Sequence, residues 1–224
     1  DPFINRGLDA LNYACYQDAR FMVVGTPAGI TLAPEGGAHQ SVNTPLVGMS
    51  MPGLAYFEPA FADELTVIME WGFRHMQAAD GGAVYLRLST RPIDQRARTL
   101  GPAGEAAITA GAYWLRQPAA GAELAIVYAG AVAPEAMAAH DALLGDIPGA
   151  GLLAVTSPDR LHGDWLDAKK RRRSGERAAR ARIETMLSQL ASDAVLITVI
   201  DGHPTTLSWL GAVGAQKVTA LGVD

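Results

Sequence analysis

Phe21-Met-Val-Val-Gly25 and Leu54-Ala-Tyr-Phe57 are two short apolar runs that enclose a long loop containing Glu35-Gly-Gly-Ala-His-Gln40. The runs predict buried strands, whereas the segment from Thr26 to Pro52 has many chain breakers and little periodicity. A loop of this length in a compact domain more often has a function than serves only as a connection. An acid and a histidine therefore lie four residues apart on flexible backbone just beyond a strand end, where open α/β sheets bind ligands.

Apolar runs and helical patterns alternate along the chain. Strands are expected at Arg20 to Gly25, Leu54 to Phe57, Ala83 to Leu88, Leu124 to Ala129, Gly151 to Val155, Val195 to Ile200 and Lys217 to Val223. Helices are expected from Gly7 to Ala19, from Glu58-Pro59 to Asp80, from Pro134 to Leu144, and starting at His203-Pro204. This alternation predicts an α/β protein whose mostly parallel sheets carry helices on both faces.

The composition changes between Thr90 and Glu105, where Arg-Pro, Asp-Gln-Arg and Gly-Pro-Ala-Gly follow one another. Breakers and polar residues of this kind are typical of a connection between domains. We therefore predict two three-layer αβα units, residues 1–91 and 107–224, joined by a linker at residues 92–106.

The composition is that of a globular protein without recognisable membrane spans or disulfides. The chain has 224 residues, of which 49% are hydrophobic, enough for one large or two modest cores. No stretch resembles a membrane span of roughly 20 apolar residues, and no signal peptide is recognisable. The single cysteine, Cys15, excludes an internal disulfide and fits a reducing compartment, so we expect a cytoplasmic protein without a membrane partner. The apolar neighbours of Cys15 predict that it is a small core residue.

Charge is distributed unevenly. Residues 167–184 carry eight basic and three acidic side chains, although the whole chain has a net charge of −5. A polyanion site at Lys169-Lys-Arg-Arg-Arg173 is one interpretation. No aromatic residue interleaves with this run and the rest of the chain is acidic, so a solvated helical face is the favoured interpretation, and no nucleic-acid partner is expected.

The loop around His39 resembles the [Asp/Glu]-Gly-x-x-His-Gln loop of the transketolase superfamily of thiamine-diphosphate enzymes. Phe3-Ile-Asn-Arg-Gly-Leu-Asp9 is similar to the segment of that family whose aromatic residue packs on the cofactor's aminopyrimidine. Thr31-Leu-Ala-Pro-Glu-Gly36 and Asp201-Gly-His-Pro-Thr-Thr-Leu-Ser-Trp-Leu210 resemble the homodimeric pyruvate dehydrogenase E1 branch. The resemblance is collinear and covers nearly the whole chain. It implies part of a pyrimidine-binding module followed by a transketolase C-terminal-like domain that ends early.

The resemblance also implies roles for individual residues. His39 would handle protons or substrate oxygens above the thiazolium, and Phe3 would stack on the pyrimidine, with ordinary core packing as its alternative. Glu35 stands where the family more often has aspartate, and it could orient His39 or cap a turn; the two readings are equally supported. Arg87 and Arg91 follow a strand where sugar-phosphate transketolases grip phosphate with Ser-Arg, but Thr90 intervenes here.

The implied activity is that of an E1 component that decarboxylates pyruvate with thiamine diphosphate and Mg²⁺ and passes the acetyl unit to a lipoyl-bearing acyltransferase. A homodimer is implied as well. The alternatives are a transketolase that moves ketol units between sugar phosphates and a non-catalytic assembly module. The family's catalytic glutamate and its Gly-Asp-Gly…Asn motif have no counterpart in this sequence, so we expect the chain alone to be inactive. His75, His140 and His162 show no metal-ligand spacing, and we expect no metal ligand within the chain. His203 opens a helix, where an imidazole can cap the helix or meet an anion, and a structural role is the favoured interpretation.

Overall fold

The first sheet forms early in the chain and is entirely parallel. The computed structural model describes residues 1–30 and 33–223, so Thr31, Leu32 and Asp224 lie outside the described residues. The strands are β1 (Met22–Gly25), β2 (Leu54–Phe57) and β3 (Ala83–Arg87), in the order β1-β3-β2. The helices of this part are α1 (Leu8–Tyr16), α2 (Thr44–Ser50) and α3 (Ala62–Gln77).

Helices cover both faces of this sheet. On one face Tyr56 and Tyr85 pack with Cys15 of α1 and with Val47 of α2. The other face of the sheet packs against Ile68 of α3. Alternate residues of each strand therefore supply two separate cores, as the period of two in a strand requires. Cys15 is 7% exposed, which confirms its predicted place in the core.

Helix α3 begins three residues later than the sequence predicts. The prediction placed Pro59 at the first helical position, but the helix starts at Ala62. Glu64 caps it by accepting the backbone N–H groups of Ala60 and Phe61 at 2.7 and 3.1 Å. Glu58 lies before the helix, and its N–H donates to the carbonyl oxygen of Thr156 at 2.8 Å.

The second sheet has five strands. They are β4 (Ala112–Arg116), β5 (Ala122–Ala129), β6 (Gly151–Val155), β7 (Leu190–Ile200) and β8 (Lys217–Leu221), in the order β4-β6-β5-β7-β8. Only the pairing of β4 with β6 is antiparallel in the described part of this sheet. The helices are α4 (Pro102–Thr109), α5 (Ala133–Leu143), α6 (Pro158–Arg173), α7 (Arg182–Leu187) and α8 (Thr205–Ser208).

The second sheet also lies between two helical layers. Leu161 of α6, Ile183 of α7 and Leu207 of α8 pack on one face, and Ala136 of α5 packs on the other. The predicted class, α/β with three-layer αβα units and mostly parallel sheets, is therefore confirmed. Phe61, from the chain of the first sheet, belongs to the α5 core, so the two layered parts share packing.

The connection between the sheets has no regular structure from residue 88 to residue 101. Helix α4 then begins at Pro102, inside the predicted linker of residues 92–106. The division of the chain into domains at this linker stays a prediction. Within the described residues, no helix is both long and apolar enough to cross a bilayer.

Candidate functional site

The carboxyl ends of β1, β2 and β3 meet at one edge because all three strands are parallel. Arg87, the last residue of β3, lies at this edge and is 1% exposed. Its Nη1 donates to Glu58 Oε1 at 2.6 Å, and its Nε donates to Asp1 Oδ2 at 3.2 Å and to Thr44 Oγ1 at 3.1 Å. A buried guanidinium is tolerable only with such a full set of acceptors.

The charges at this edge are strongly coupled. Burial, the largest single influence, lowers the pKa of Arg87, but the acidic groups around it, Glu58 first among them, together hold that pKa above its usual value. Burial raises the pKa of Glu58, and the guanidinium of Arg87 opposes this rise. The hydroxyl group of Tyr56 donates to Glu58 Oε2. Gly130, at the end of β5, lies against Glu58; a Cβ atom there would come within 2.5 Å of Oε1.

Arg87 also reaches the loop that carries His39. Its Nη2 donates to the carbonyl oxygens of Ser41 and Asp201, each at 2.8 Å. The two ends of the loop are closed on each other: Ser41 N donates to Gly29 O at 3.0 Å, and Gly29 N donates to Ser41 Oγ at 2.9 Å. The loop therefore has a fixed base at the buried arginine.

His39 ends a short 3-10 turn, Gly37–His39, that follows Gly36. Gly36 has φ of +100°, a conformation that favours glycine. The imidazole of His39 meets the ring of Phe3 edge to face, with centroids 6.1 Å apart and an interplanar angle of 80°. The guanidinium of Arg6 lies over the Phe3 ring, 4.7 Å from its centroid. The structure thus brings together Phe3 and His39, two of the three residues that the sequence selected.

Two properties of this pair suit a planar ligand. Phe3 is 50% exposed, which leaves part of its ring surface open to a ligand. His39 Nδ1 is buried and has no hydrogen-bond partner within the described residues. A heteroaromatic ring with a polar edge could use the exposed face of Phe3 and the unpartnered nitrogen of His39.

Glu35 is placed differently. It ends the turn Ala33–Glu35 and is exposed, and its carboxylate makes no hydrogen bond or ion pair with His39 in the described structure. The role of Glu35, orienting His39 or capping a turn, stays a prediction.

The residues present fit one end of thiamine diphosphate only. Phe3 and His39 suit its ring system. In the part of the chain that the structure describes, no group of three or more His, Cys, Asp or Glu residues could hold a metal ion.

The sequence did not identify the buried cluster around Arg87. Arg87 was considered only as a possible phosphate ligand, although a charge on a fully apolar strand was a usable signal of a buried ion pair. Arg91 is engaged by Glu135, with Nη1 donating to Oε2 at 2.9 Å and Nη2 donating to Oε1. His203 accepts the N–H of Thr205 at 3.2 Å on its Nδ1.

The basic run of residues 169–173 lies in the last turn of α6. Arg171 pairs with Glu176, and Arg172 pairs with Glu184 at 2.8 Å. Part of the local positive charge is thus balanced within the protein. These pairs are consistent with the favoured interpretation of this run as a solvated helical face.

Comparison with known proteins gives relatives of one kind. The chain is 31% identical over 216 residues to the pyruvate dehydrogenase E1 component of Mycolicibacterium smegmatis; the match covers 93% of this chain and 22% of that protein. No protein-family model matches the chain.

Transketolases are among the solved structures that share this fold. A mutant transketolase from Pichia stipitis superposes with a TM-score of 0.72 at 19% identity, over 99% of this chain and 28% of its own. The enzyme from Campylobacter jejuni gives a TM-score of 0.72 at 15% identity, over 100% of this chain and 30% of its own. An inactive β4 tetramer of a split-gene transketolase gives 0.66 at 17% identity, over 100% of this chain and 64% of its own. The chain thus spans about a fifth of its curated relative and under a third of the two undivided transketolases.

Proposed function

Since the chain belongs to the transketolase superfamily of thiamine-diphosphate enzymes, we propose that it is a region of a pyruvate dehydrogenase E1 component. This component decarboxylates pyruvate and transfers the acetyl unit to a lipoyl group. The observation that carries the proposal is the contact between Phe3 and His39 at the carboxyl edge of the first sheet. The similarity to a mycobacterial E1 component over 93% of the chain supports the same activity.

The residues of this chain would act on one side of the cofactor. Phe3 would hold the pyrimidine ring against its exposed face, and Glu35 would orient His39, with capping of a turn as its alternative role. When bound, thiamine diphosphate supplies the carbanion chemistry of decarboxylation. His39 would hold and deliver a proton during transfer to the lipoyl dithiolane, since an imidazole titrates near neutral pH.

The arginines near the site favour pyruvate over a sugar phosphate. A phosphate dianion needs cationic donors that are free to bind it. Arg87 is fully used by Glu58, Asp1 and backbone oxygens, and Arg91 is held by Glu135. Arg87, at the end of β3, is therefore not available to a phosphate ester, and Arg91 reaches one only by giving up its exposed pair with Glu135. A transketolase acting on sugar phosphates is for this reason the weaker alternative.

The proposal includes the setting of the enzyme: a cytoplasmic homodimer that uses Mg²⁺ and works with a lipoyl-bearing acyltransferase. A second candidate function is that of a non-catalytic assembly module. The fold shared with an inactive β4 tetramer of a split-gene transketolase favours it. The described residues also lack a metal-binding group.

Calorimetry with thiamine diphosphate and Mg²⁺ separates these functions. We expect tight binding by a polypeptide that contains this chain at the length of its mycobacterial relative, and no tight binding by the chain alone. Absence of binding to both polypeptides would contradict the E1 proposal and favour the assembly module.

The role of His39 is tested in that longer polypeptide. We expect His39→Ala to lower transfer to a lipoyl acceptor by roughly 10²–10⁴-fold, the usual contribution of a general acid or base. Decarboxylation with an artificial electron acceptor should fall less, because it needs no proton delivery to the dithiolane, and cofactor affinity should be nearly unchanged. An equal loss in both assays together with loss of cofactor binding would make His39 a structural residue.

A further inference from the structure

The loop between Ile30 and Val42, called the His39 loop, is hydrogen-bonded at both ends to one turn, residues 201–203, which follows β7. At the first end, Ile30 N donates to Asp201 Oδ1 at 3.0 Å. At the second end, His203 N donates to Val42 O at 2.8 Å. The turn of residues 201–203 belongs to the second sheet, whereas the loop belongs to the first. The base of the loop is thus held from outside its own sheet.

The first end is shaped to receive the carboxylate of Asp201. Gly29 has φ of +69°, and a Cβ atom at this position would lie 1.9 Å from Asp201 Oδ2. Only a residue without a side chain leaves this space, and glycine also adopts this backbone conformation without strain. The carboxylate and the glycine therefore form a matched contact.

Asp201 is joined to the buried arginine as well. Arg87 Nη2 donates to the backbone oxygens of both Asp201 and Ser41. These backbone contacts would survive a change of the Asp201 side chain, because they use its carbonyl oxygen. The contact between the carboxylate and Ile30 can therefore be removed while the arginine cluster remains.

We propose that Asp201 is a positioning residue for His39, whose carboxylate holds the Ile30 end of the loop and thereby sets the approach of His39 to Phe3. Without this carboxylate, the Ile30 end is held only through the pairing of Gly29 with Ser41. The loop then retains more conformational freedom, and ordering it for each encounter costs free energy. The value of this positioning for catalysis rests on the proposed role of His39. The geometric effect does not, since it concerns the chain without cofactor.

The test compares four variants of this chain by nuclear magnetic resonance. Asp201→Ala removes the acceptor of Ile30 N–H. Asp201→Asn keeps an acceptor oxygen. Gly29→Ala displaces the carboxylate without removing it. Asp193→Ala, an exposed change on the same strand, is the matched control. The measurements are amide hydrogen exchange at Ile30 and Ser41, the nuclear Overhauser effect between the rings of His39 and Phe3, and the urea midpoint.

For Asp201→Ala and Gly29→Ala we expect amide exchange at Ile30 to rise about tenfold, as for one hydrogen bond to a charged group. The Overhauser effect between the two rings should weaken in both variants. Asp201→Asn should restore most of both signals, and Asp193→Ala should match the unchanged chain. An unaltered contact between the rings after the Ile30 amide is freed would overturn the proposal. Global unfolding by both disruptive variants would also overturn it, since Asp201 would then be a general structural residue.

A kinetic comparison in the longer polypeptide separates this inference from the proposed function. If Asp201 positions His39, Asp201→Ala should lower kcat for lipoyl transfer several-fold with little change in KM, and Asp201→Asn should recover it. If His39→Ala leaves lipoyl transfer intact, the proposed function of His39 fails, whereas the resonance measurements still decide whether Asp201 positions the loop. A fall in KM and kcat that Asp201→Asn does not recover would contradict positioning.

Discussion

Two of the contacts between the two layered parts differ in their chemistry. In the arginine contact, Arg87 binds Glu58 and Asp1 and donates to Asp201 O. In the serine contact, β2 lies against the start of α6: Ser157 Oγ donates to Tyr56 O at 2.5 Å. Both contacts are buried. The first depends on full charges, and the second depends on a hydroxyl group and backbone atoms.

This difference separates two requirements of the site. The arginine contact includes the base of the His39 loop through Ser41 O. The serine contact fixes the edge strand β2 and makes no hydrogen bond to the loop among the described residues. We therefore expect damage to the arginine contact to affect both stability and the loop. Damage to the serine contact should affect stability alone.

The largest expected effect comes from Arg87→Met. Removing the guanidinium leaves the carboxylates of Glu58 and Asp1 buried without their cation, which should lower the free energy of unfolding by roughly 3–5 kcal/mol. Urea denaturation measures the loss. Arg171→Met, in the exposed pair with Glu176, is the control and should have a much smaller effect. If the two variants lost equal stability, the comparison between buried and exposed arginines would fail.

Ser157→Ala should have an intermediate effect. The hydroxyl group donates to Tyr56 O and accepts Arg160 N at 3.2 Å as the N-cap of α6. Loss of both bonds should cost about 1–2 kcal/mol in urea denaturation. Ser188→Ala, at an exposed site, is the matched control. The amide exchange of Ser41 should not change in Ser157→Ala; faster exchange there would show that the two contacts are not separable.

The effect of Asp159→Asn depends on pH, and at pH 4 it should be the smallest of the three. Asp159 Oδ2 accepts Tyr56 N, and burial raises the pKa of Asp159 to about 6. The unfolded value is about 3.9. Because the folded pKa is the higher one, the protonated carboxyl stabilises the fold below about pH 4, and this stabilisation is lost as pH rises through 6.

The Asp159→Asn variant has no carboxyl group at this position, so its stability does not change with the titration of Asp159. Relative to the unchanged chain, it should therefore gain about 2 kcal/mol of stability between pH 4 and pH 7. Urea denaturation of both proteins across this range measures the difference. A stability difference that stays constant with pH would show that Asp159 keeps an ordinary pKa in the fold.

Sequence patterns predicted best the strands whose side chains are fully buried. Gly151–Val155 was predicted with its observed bounds because an unbroken apolar run permits little else. The strand Ala112–Arg116 was missed, since it is half exposed and follows the irregular connection. A half-exposed antiparallel edge strand lacks the continuous apolar run of its parallel neighbours.

The site could be predicted in part. The motif resemblance selected Phe3 and His39, which the structure places in contact. The arginine cluster could not be predicted, because its members are far apart in sequence: Arg87 is 86 residues from Asp1 and 114 residues from Asp201. Local periodicity contains no information about which distant carboxylate meets a buried cation.

The packing of Gly130 against Glu58 should restrict which residues evolution accepts at these two positions. Gly130 directly follows β5 and has φ of +64°, and any side chain there would collide with the Glu58 carboxylate. A substitution at either position therefore changes the steric fit at the other, although 72 residues separate them in the chain. Among homologous sequences, position 130 should remain glycine wherever position 58 is acidic, and the two positions should change together.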